Sequence, residues 1–177
     1  MAGPSLYRRP PRGRPLIGFE LEAPCEVELR DGAVLQCREV LQDGRQLGEL
    51  EIRVFAAALI IDRDGLLAKT ACDELERRAR PPYGATAVPV QLAGTSGYRA
   101  EAVDRTALPY VAVFAMAPLD GIDGGVLVTV RSAQPAWPAA DHMLASLRIL
   151  TRHGVAAAND DAPVASALGV IAPPRGD

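Results

Sequence analysis

The residues of this sequence that could do chemistry are few, and their spacing completes no known site. The segment 62–65, DRDG, has the acidic spacing that opens a calcium loop, but its glycine comes early and no glutamate closes the frame. Helix capping by these acids is the better interpretation. His142 and His153 are too far apart for two metal ligands on adjacent helical turns, and the chain has no third histidine. We therefore predict no metal, no cofactor and no catalytic residues.

The candidate nucleophiles are isolated as well. The segment 94–97, GTSG, predicts a hairpin turn, because it lacks the Gly-x-Ser-x-Gly spacing and no helix follows it. The three cysteines share no metal-ligand or redox spacing; Cys25 and Cys37 fall in predicted strands and Cys72 in a predicted helix. We expect all three to be buried, unreactive thiols.

An enzyme is the remaining chemical alternative. It would need a pocket that brings together Asp104, Arg105, His142 and a tyrosine, and the sequence neither requires nor excludes this arrangement. We expect the scattered aromatic residues to fill gaps in the core, although they could instead line a groove: Tyr83, Tyr98, Tyr110 and Trp137. Because no acid, base and nucleophile converge, we expect a protein that is not an enzyme.

The two terminal segments are the candidate contacts with a partner. Residues 1–15 form a basic, proline-rich arm, for which a solvated arm is the simpler interpretation and docking on an acidic partner or nucleic acid is the alternative. Residues 155–177 form a C-terminal extension whose stretch 164–171 is apolar enough to dock on a surface. The candidate partner-binding residues are Arg8, Arg9, Arg12, Arg14, Trp137, Val164, Leu168 and Ile171.

The composition limits the kind of partner and the environment. The 177 residues are 49% hydrophobic and 23% charged, which is typical of one globular domain, here 16–154. The formal net charge of −3 argues against nucleic acid, so we expect a protein partner, with a homo-oligomer or a larger assembly as further alternatives. The longest apolar run, 54–61, is strand-sized, so we expect no membrane insertion and a cytoplasmic protein.

The spacing of apolar residues predicts the helices and strands that position these residues. Helices are predicted at 66–80 and 138–152, where apolar residues recur at helical spacing. Strands are predicted at 16–21, 25–30, 33–40, 49–61, 86–92, 98–103, 110–116 and 126–130. The strand at 49–61 should begin half exposed and end fully buried. The pattern predicts an α+β domain with a largely antiparallel β-sheet flanked by two main helices.

Four segments carry a family resemblance: GYRA at 97–100, YVAVF at 110–114, VLVTV at 126–130 and ASLR at 145–148. With the order of elements over residues 16–152, they resemble the Mog1/PsbP-like superfamily, which implies an α/β/α sandwich. The superfamily is mostly non-catalytic; it includes a Ran-binding nuclear-transport factor, photosystem subunits, and bacterial proteins of which some are adaptor chaperones for secretion-system effectors. The resemblance carries over no functional residue, because the superfamily has no shared catalytic set to place on this chain.

The function that these observations favour is a non-enzymatic protein-binding protein of a bacterial system, an adaptor or chaperone-like protein. It would present a sheet face or a helix-flanked groove to its partner, and the chaperone version needs an exposed apolar patch. One alternative is a structural subunit of a larger assembly that uses the N-terminal arm and the C-terminal tail. The other is an enzyme with an unrecognised pocket.

Overall fold

The computed structural model describes residues 3–24, 26–30, 34–79, 84–120 and 123–155, which form eleven strands and two helices. The first strands are β1 (Ser5–Arg9), β2 (Gly18–Ala23), β3 (Glu26–Arg30), β4 (Val34–Val40) and β5 (Gln46–Ala56). Helix α1 (Arg63–Ala79) is followed by β6 (Ala87–Leu92), β7 (Thr95–Val103), β8 (Tyr110–Met116) and β9 (Gly124–Ser132). Helix α2 (Pro138–Ser146) precedes β10 (Arg148–Thr151) and β11 (Gly154–Val155).

Two antiparallel sheets dominate the fold. The larger sheet has seven strands in the order β3-β4-β5-β9-β8-β7-β6, and the smaller has four in the order β1-β2-β10-β11. All paired neighbours run antiparallel. The predicted α+β class with a largely antiparallel sheet is therefore confirmed.

The seven-stranded sheet separates two apolar cores. On one face, α1 buries Leu67 and Leu75 against Val113 of β8. On the other face, α2 and the four-stranded sheet enclose a larger core that contains Phe19 and Phe114. Successive residues of β8 thus point into different cores, as the period of two requires. This explains why the strand reads as a continuous apolar run.

Helix α1 confirms the first predicted helix and begins at Arg63. The Asp62 carboxylate accepts a hydrogen bond from the amide of Gly65 at 2.9 Å. It satisfies one of the amide groups that have no partner inside the helix, so the interpretation of these acids as caps is confirmed. The last predicted residue, Arg80, lies outside the described residues.

Helix α2 ends at Ser146, so the prediction of a helix over 138–152 is wrong in its last part. Leu147 has φ −59° and ψ 133°, which is extended backbone, and the chain continues as β10. Ile149 pairs with Phe19 of β2, and both side chains are buried in the larger core. A strand forms here because β2 offers a free edge, and because Leu147 and Ile149 alternate into the core at strand spacing.

Strand β5 ends at Ala56, so the prediction of a strand that continues to residue 61 and ends fully buried is wrong. Its partner β9 begins at Gly124, directly opposite Ala56. The amide of Ala57 instead donates to the carbonyl of Asp123 at 3.0 Å. Because β9 offers no further partner, the chain leaves the sheet and forms a loop.

Part of the N-terminal segment that was expected to be a solvated arm belongs to the smaller sheet. Strand β1 pairs with β2 from Ser5, opposite Ala23, to Arg9, opposite Phe19. Tyr7 is partly buried and packs against the larger core. Tyr7 and Arg9 point to the same face of the strand and are partly buried, which explains why this short basic segment can form a strand.

Candidate protein-binding surface

Several loops meet at one end of the domain, and we call this surface the loop end. It comprises residues 10–17, 57–62, 117–120, 123 and the turn 152–153. Pro15 packs on Gly124 so closely that a Cβ at Gly124 would lie 2.6 Å from the ring of Pro15. The Ala57–Asp123 hydrogen bond joins two further loops. These contacts hold the loops to one another and to the ends of both sheets.

Large apolar side chains are exposed on the loop end. Ile60 and Ile61 are 72% and 86% exposed, and Leu119 and Leu16 are 62% and 41% exposed. Burial of one such side chain stabilises a complex by about 1.5–3 kcal/mol. Single exposed apolar residues are ordinary, but two consecutive isoleucines beside an exposed leucine on one surface are typical of a contact site.

Arg63 anchors the loops beneath these residues. Its Nη2 donates to the carbonyl of Ser96 at 2.8 Å and to that of Ala117 at 2.6 Å, and the side chain is only 19% exposed. Sequence reasoning missed this residue. The available signal was a cation in the first turn of α1, where the helix dipole disfavours positive charge unless other groups compensate it.

A cleft with a volume of about 240 Å³ lies between the loops. Its charged lining includes Asp120 and Asp123 from one loop, and Arg152 and His153 from the turn after β10. Arg152 Nε donates to His153 Nε2 at 2.9 Å, which occupies the nitrogen that a general base would use. His153 does not share a helix with His142, contrary to the prediction. Among the described residues, no cluster of His, Cys, Asp and Glu is arranged to hold a metal ion.

The charges of the loop end are segregated by loop. Exposed acidic side chains come from the loop before α1 and the loop after β8: Asp62, Asp120 and Asp123. Exposed basic side chains come from the loop after β1 and the turn after β10: Arg12, Arg14 and Arg152. The surface is therefore polarised, with apolar side chains in both halves.

The other predicted arginines of the N-terminal segment are used within the domain. Arg8 forms an exposed ion pair with Glu20 at 3.8 Å, and Arg9 donates to the carbonyl of Ile17 at 3.1 Å. These contacts stabilise the β1–β2 hairpin. Arg12 and Arg14 are exposed and form no ion pair within the described residues. The three predicted contacts of the C-terminal extension lie outside the described residues: Val164, Leu168 and Ile171.

Trp137, the remaining predicted contact, is a core residue. It is 2% exposed, its ring covers Gly48, and its indole N–H donates to the carboxylate of Glu39. Tyr98 likewise packs against the core beneath α1, and Tyr83 lies outside the described residues. Trp137 and Tyr98 therefore fill the core rather than line a groove.

The residues that an enzyme would need do not form one pocket. Asp104 pairs with Arg131 at 3.1 Å on the α1 side of the large sheet. His142 lies on α2, on the other side of that sheet, 3.4 Å from Glu22. Arg105 is exposed on the loop after β7. The structure therefore separates the histidine from the carboxylate that was its proposed partner.

A dense charge network beside α1 is a competing candidate surface. Glu74 is only 1% exposed and is contacted by Arg53 at 2.6 Å, by Arg78 at 2.8 Å and by Arg77. Arg78 also pairs with Glu51 at 2.6 Å. Burial lowers the pKa of Arg53, and repulsion from Arg78 lowers it further. Because each charge already has a partner, this network ties α1 to β5 and offers little to a ligand.

The cysteines differ from the expectation of three free thiols. Cys37 is disulfide-bonded, so the prediction is wrong for this residue. Cys72 is a free thiol that donates to the carbonyl of Ala85 at 3.5 Å, and burial raises its pKa. A raised pKa lowers the thiolate fraction, and Cys72 is half-buried rather than buried as expected. Cys25 lies outside the described residues.

Comparisons with known proteins give no identification. No protein-family model, no curated protein and no solved structure matches the chain. The resemblance to the Mog1/PsbP-like superfamily therefore stays a prediction from the sequence. In the part of the chain that the structure describes, neither helix is long and apolar enough to cross a membrane.

Proposed function

We propose that this chain is a non-enzymatic protein-binding protein, an adaptor or chaperone-like protein, that contacts its partner through the loop end. The observation that carries the proposal is the exposure of Ile60 and Ile61, at 72% and 86%, on a loop held by the buried Leu59 and by the hydrogen bond from Ala57 to Asp123. A fixed apolar surface costs solubility unless a partner covers it. A prearranged surface also loses little conformational entropy on binding.

The charges around the isoleucines indicate the chemistry of the partner. Asp62, Asp64 and Asp120 are exposed nearby along the chain and on the adjoining loop, whereas Arg63 is folded inward. An apolar segment flanked by basic residues, such as one face of an amphipathic helix, would complement this surface. Its apolar side chains would supply affinity and its cations would orient it.

A structural subunit of a larger assembly is a second candidate function. Arg12 and Arg14 favour it, because both are exposed at the loop end and neither forms an ion pair within the described part of the chain. In this version the N-terminal segment and the C-terminal tail would contact neighbouring subunits. No observation on the described residues favours the enzyme alternative.

Family and location are further proposals. Membership of the Mog1/PsbP-like superfamily, as a bacterial adaptor-like member, is supported by the antiparallel strands before α1 and the hairpins followed by a helix after it. The proposed cytoplasmic location is opposed by the disulfide of Cys37, because disulfides persist mainly in oxidising compartments. Alkylation of denatured lysate before reduction tests it: a reactive Cys37 thiol supports the cytoplasm, and one protected until reduction contradicts it.

Paired substitutions test the proposed surface. Tagged protein is purified from its own cells, and partners are quantified by mass spectrometry for wild type, I60D/I61D and V40D/V103D. Val40 and Val103 are 56% and 52% exposed at the opposite end of the domain, so they are the matched control. We expect the isoleucine variant to weaken binding about a hundredfold or more, because two buried side chains are lost. Equal partner recovery with both variants would contradict the proposal.

A further inference from the structure

The loop end carries two unpaired acids and two unpaired bases on different loops. Asp120 and Asp123 are exposed on the loop after β8, and Arg12 and Arg14 are exposed on the loop after β1. Within the described residues, none of these four side chains takes part in an ion pair or a side-chain hydrogen bond. The buried Glu74 beside α1, by contrast, is paired with Arg53 and Arg78.

A cleft lies between these two loops, and Arg152 and His153 line it as well. Residues of both loops line it: Leu16 from the basic side, and Pro118 with both aspartates from the acidic side. Leu16 and Leu119 are also exposed at its margins, at 41% and 62%. The loop after β1 thus supplies a basic half of this surface and the loop after β8 an acidic half, and each loop also carries an exposed leucine.

We infer that the loop end binds a second copy of this chain. A surface with opposite charges on its two halves is complementary to itself after a rotation of 180°, which places each basic half against the partner's acidic half. The same rotation brings the apolar residues of the two copies together. This inference rests on the proposed protein-binding role of the loop end and names its partner.

The arrangement predicts a moderate, salt-sensitive affinity. Each exposed ion pair contributes only about 0.2–1 kcal/mol, and salt screens it. The apolar residues must therefore supply most of the binding free energy, while the charges set the orientation of the two copies. We expect a monomer–dimer equilibrium that shifts toward monomer as the ionic strength rises.

Charge-swap complementation tests this pairing directly. R12E/R14E makes both halves of the surface acidic, and D120R/D123R makes both halves basic. In a two-fold dimer each variant would then oppose like charges, whereas the two variants together would form two attractive contacts. R45E/R105E is the matched control, because it makes the same change of net charge on exposed arginines at the opposite end.

Sedimentation velocity over a range of concentrations gives the association constants. We expect each swap variant to dimerise roughly tenfold or more weakly than wild type, the control to match wild type, and an equimolar mixture to form a one-to-one heterodimer of nearly wild-type affinity. Circular dichroism confirms that each variant is folded, and R12Q/R14Q provides a milder substitution with the same expected direction. A mixture that fails to restore association would overturn the inference.

The failure of this inference is distinguishable from the failure of the proposed function. If wild type stays monomeric at all concentrations, the second-copy inference is wrong. If a synthetic amphipathic helix with flanking arginines still binds the monomer and I60D/I61D abolishes that binding, the protein-binding role stands with a different partner. If neither a second copy nor this peptide binds, both are contradicted.

Discussion

Replacement of Arg63 by methionine should loosen the loop end and lower the stability of the whole domain. The guanidinium joins the start of α1 to β7 and to the loop after β8 through its bonds to the carbonyls of Ser96 and Ala117, at 2.8 and 2.6 Å. Methionine keeps most of the apolar stem and removes all five donors. The variant therefore isolates the hydrogen bonds from the packing.

The magnitude follows from the partners that remain. Hydrogen bonds from a charged group contribute about 1.5–3 kcal/mol each, which gives about 3–6 kcal/mol for two. Two terms reduce this loss: the hydroxyl of Thr95 still donates to Ala117, and the buried Nε of Arg63 has no partner in the described part of the chain. Removing this buried donor, which has no hydrogen-bond partner in the described part of the chain, stabilises the native state by about 1–3 kcal/mol. We expect a net loss of about 2 kcal/mol in the free energy of unfolding.

Thermal denaturation and hydrogen exchange measure the two effects. R63M should lower the melting temperature by about 4–8 °C, from about 2–4 °C per kcal/mol in a protein of this size. The amides of Ala57 and Leu59 should exchange faster, because they lie in the loop that Arg63 anchors. R105M, on an exposed arginine, is the control and should change stability by less than about 0.5 kcal/mol. A similarly small change in R63M would refute the assignment of Arg63 as an anchor.

Three further substitutions test the cores and the buried charges. G48A should destabilise the domain by about 1–3 kcal/mol in urea titrations, because the new Cβ would lie 2.5 Å from the ring of Trp137; unchanged stability would mean that the ring is free to move. E74Q should cost about 2–3 kcal/mol by the same assay, since it leaves three arginines without their buried anion, and the partial exposure of the arginines keeps the loss below that of a fully buried pair. Burial raises the pKa of Asp141, so its carboxyl group holds a proton more tightly in the native state than in the unfolded state. The buried carboxylate therefore destabilises the native state only above the unfolded-state pKa of 3.8. D141N should therefore be more stable than wild type at neutral pH, an advantage that vanishes below pH 3.8, and a pH-independent difference would contradict this reasoning.

The elements that local pattern alone could predict are those buried on both faces or capped by their own residues. Strand β8 was predicted at its observed limits, 110–116, because a run without charges has one compatible environment in a sheet between two cores. Helix α1 was predicted because its apolar stripe and its cap agree. Both signals lie within the element itself.

The errors arose where a distant partner decides the structure. Leu144, Leu147 and Leu150 fit a helical stripe, but the free edge of β2 converts the last of these residues to a strand. The run that ends at Ile61 leaves the sheet because β9 begins opposite Ala56. Neither the edge nor the register is encoded near the affected residues, so periodicity could not reveal them.

The candidate site was accessible from the sequence only in part. Arg12 and Arg14 were identified from the charge of the N-terminal segment, and the structure places them at the loop end. Ile60 and Ile61 were expected to be buried, because exposure of an apolar run depends on where its strand loses its partner. Asp120 and Asp123 could not be identified from the sequence, because only the fold brings their loop and the loop after β1 to one cleft.

Site-specific photo-crosslinking in living cells tests the central claim most directly, that the loop end is the protein-contact surface. A photoreactive amino acid at position 61 reports contacts of the loop end, and the same amino acid at position 103 reports the opposite end of the domain. We predict a discrete crosslinked species, either a dimer of this chain or one with a partner protein, at position 61 and not at position 103. Crosslinks at position 103 alone, or at neither position, would contradict the account.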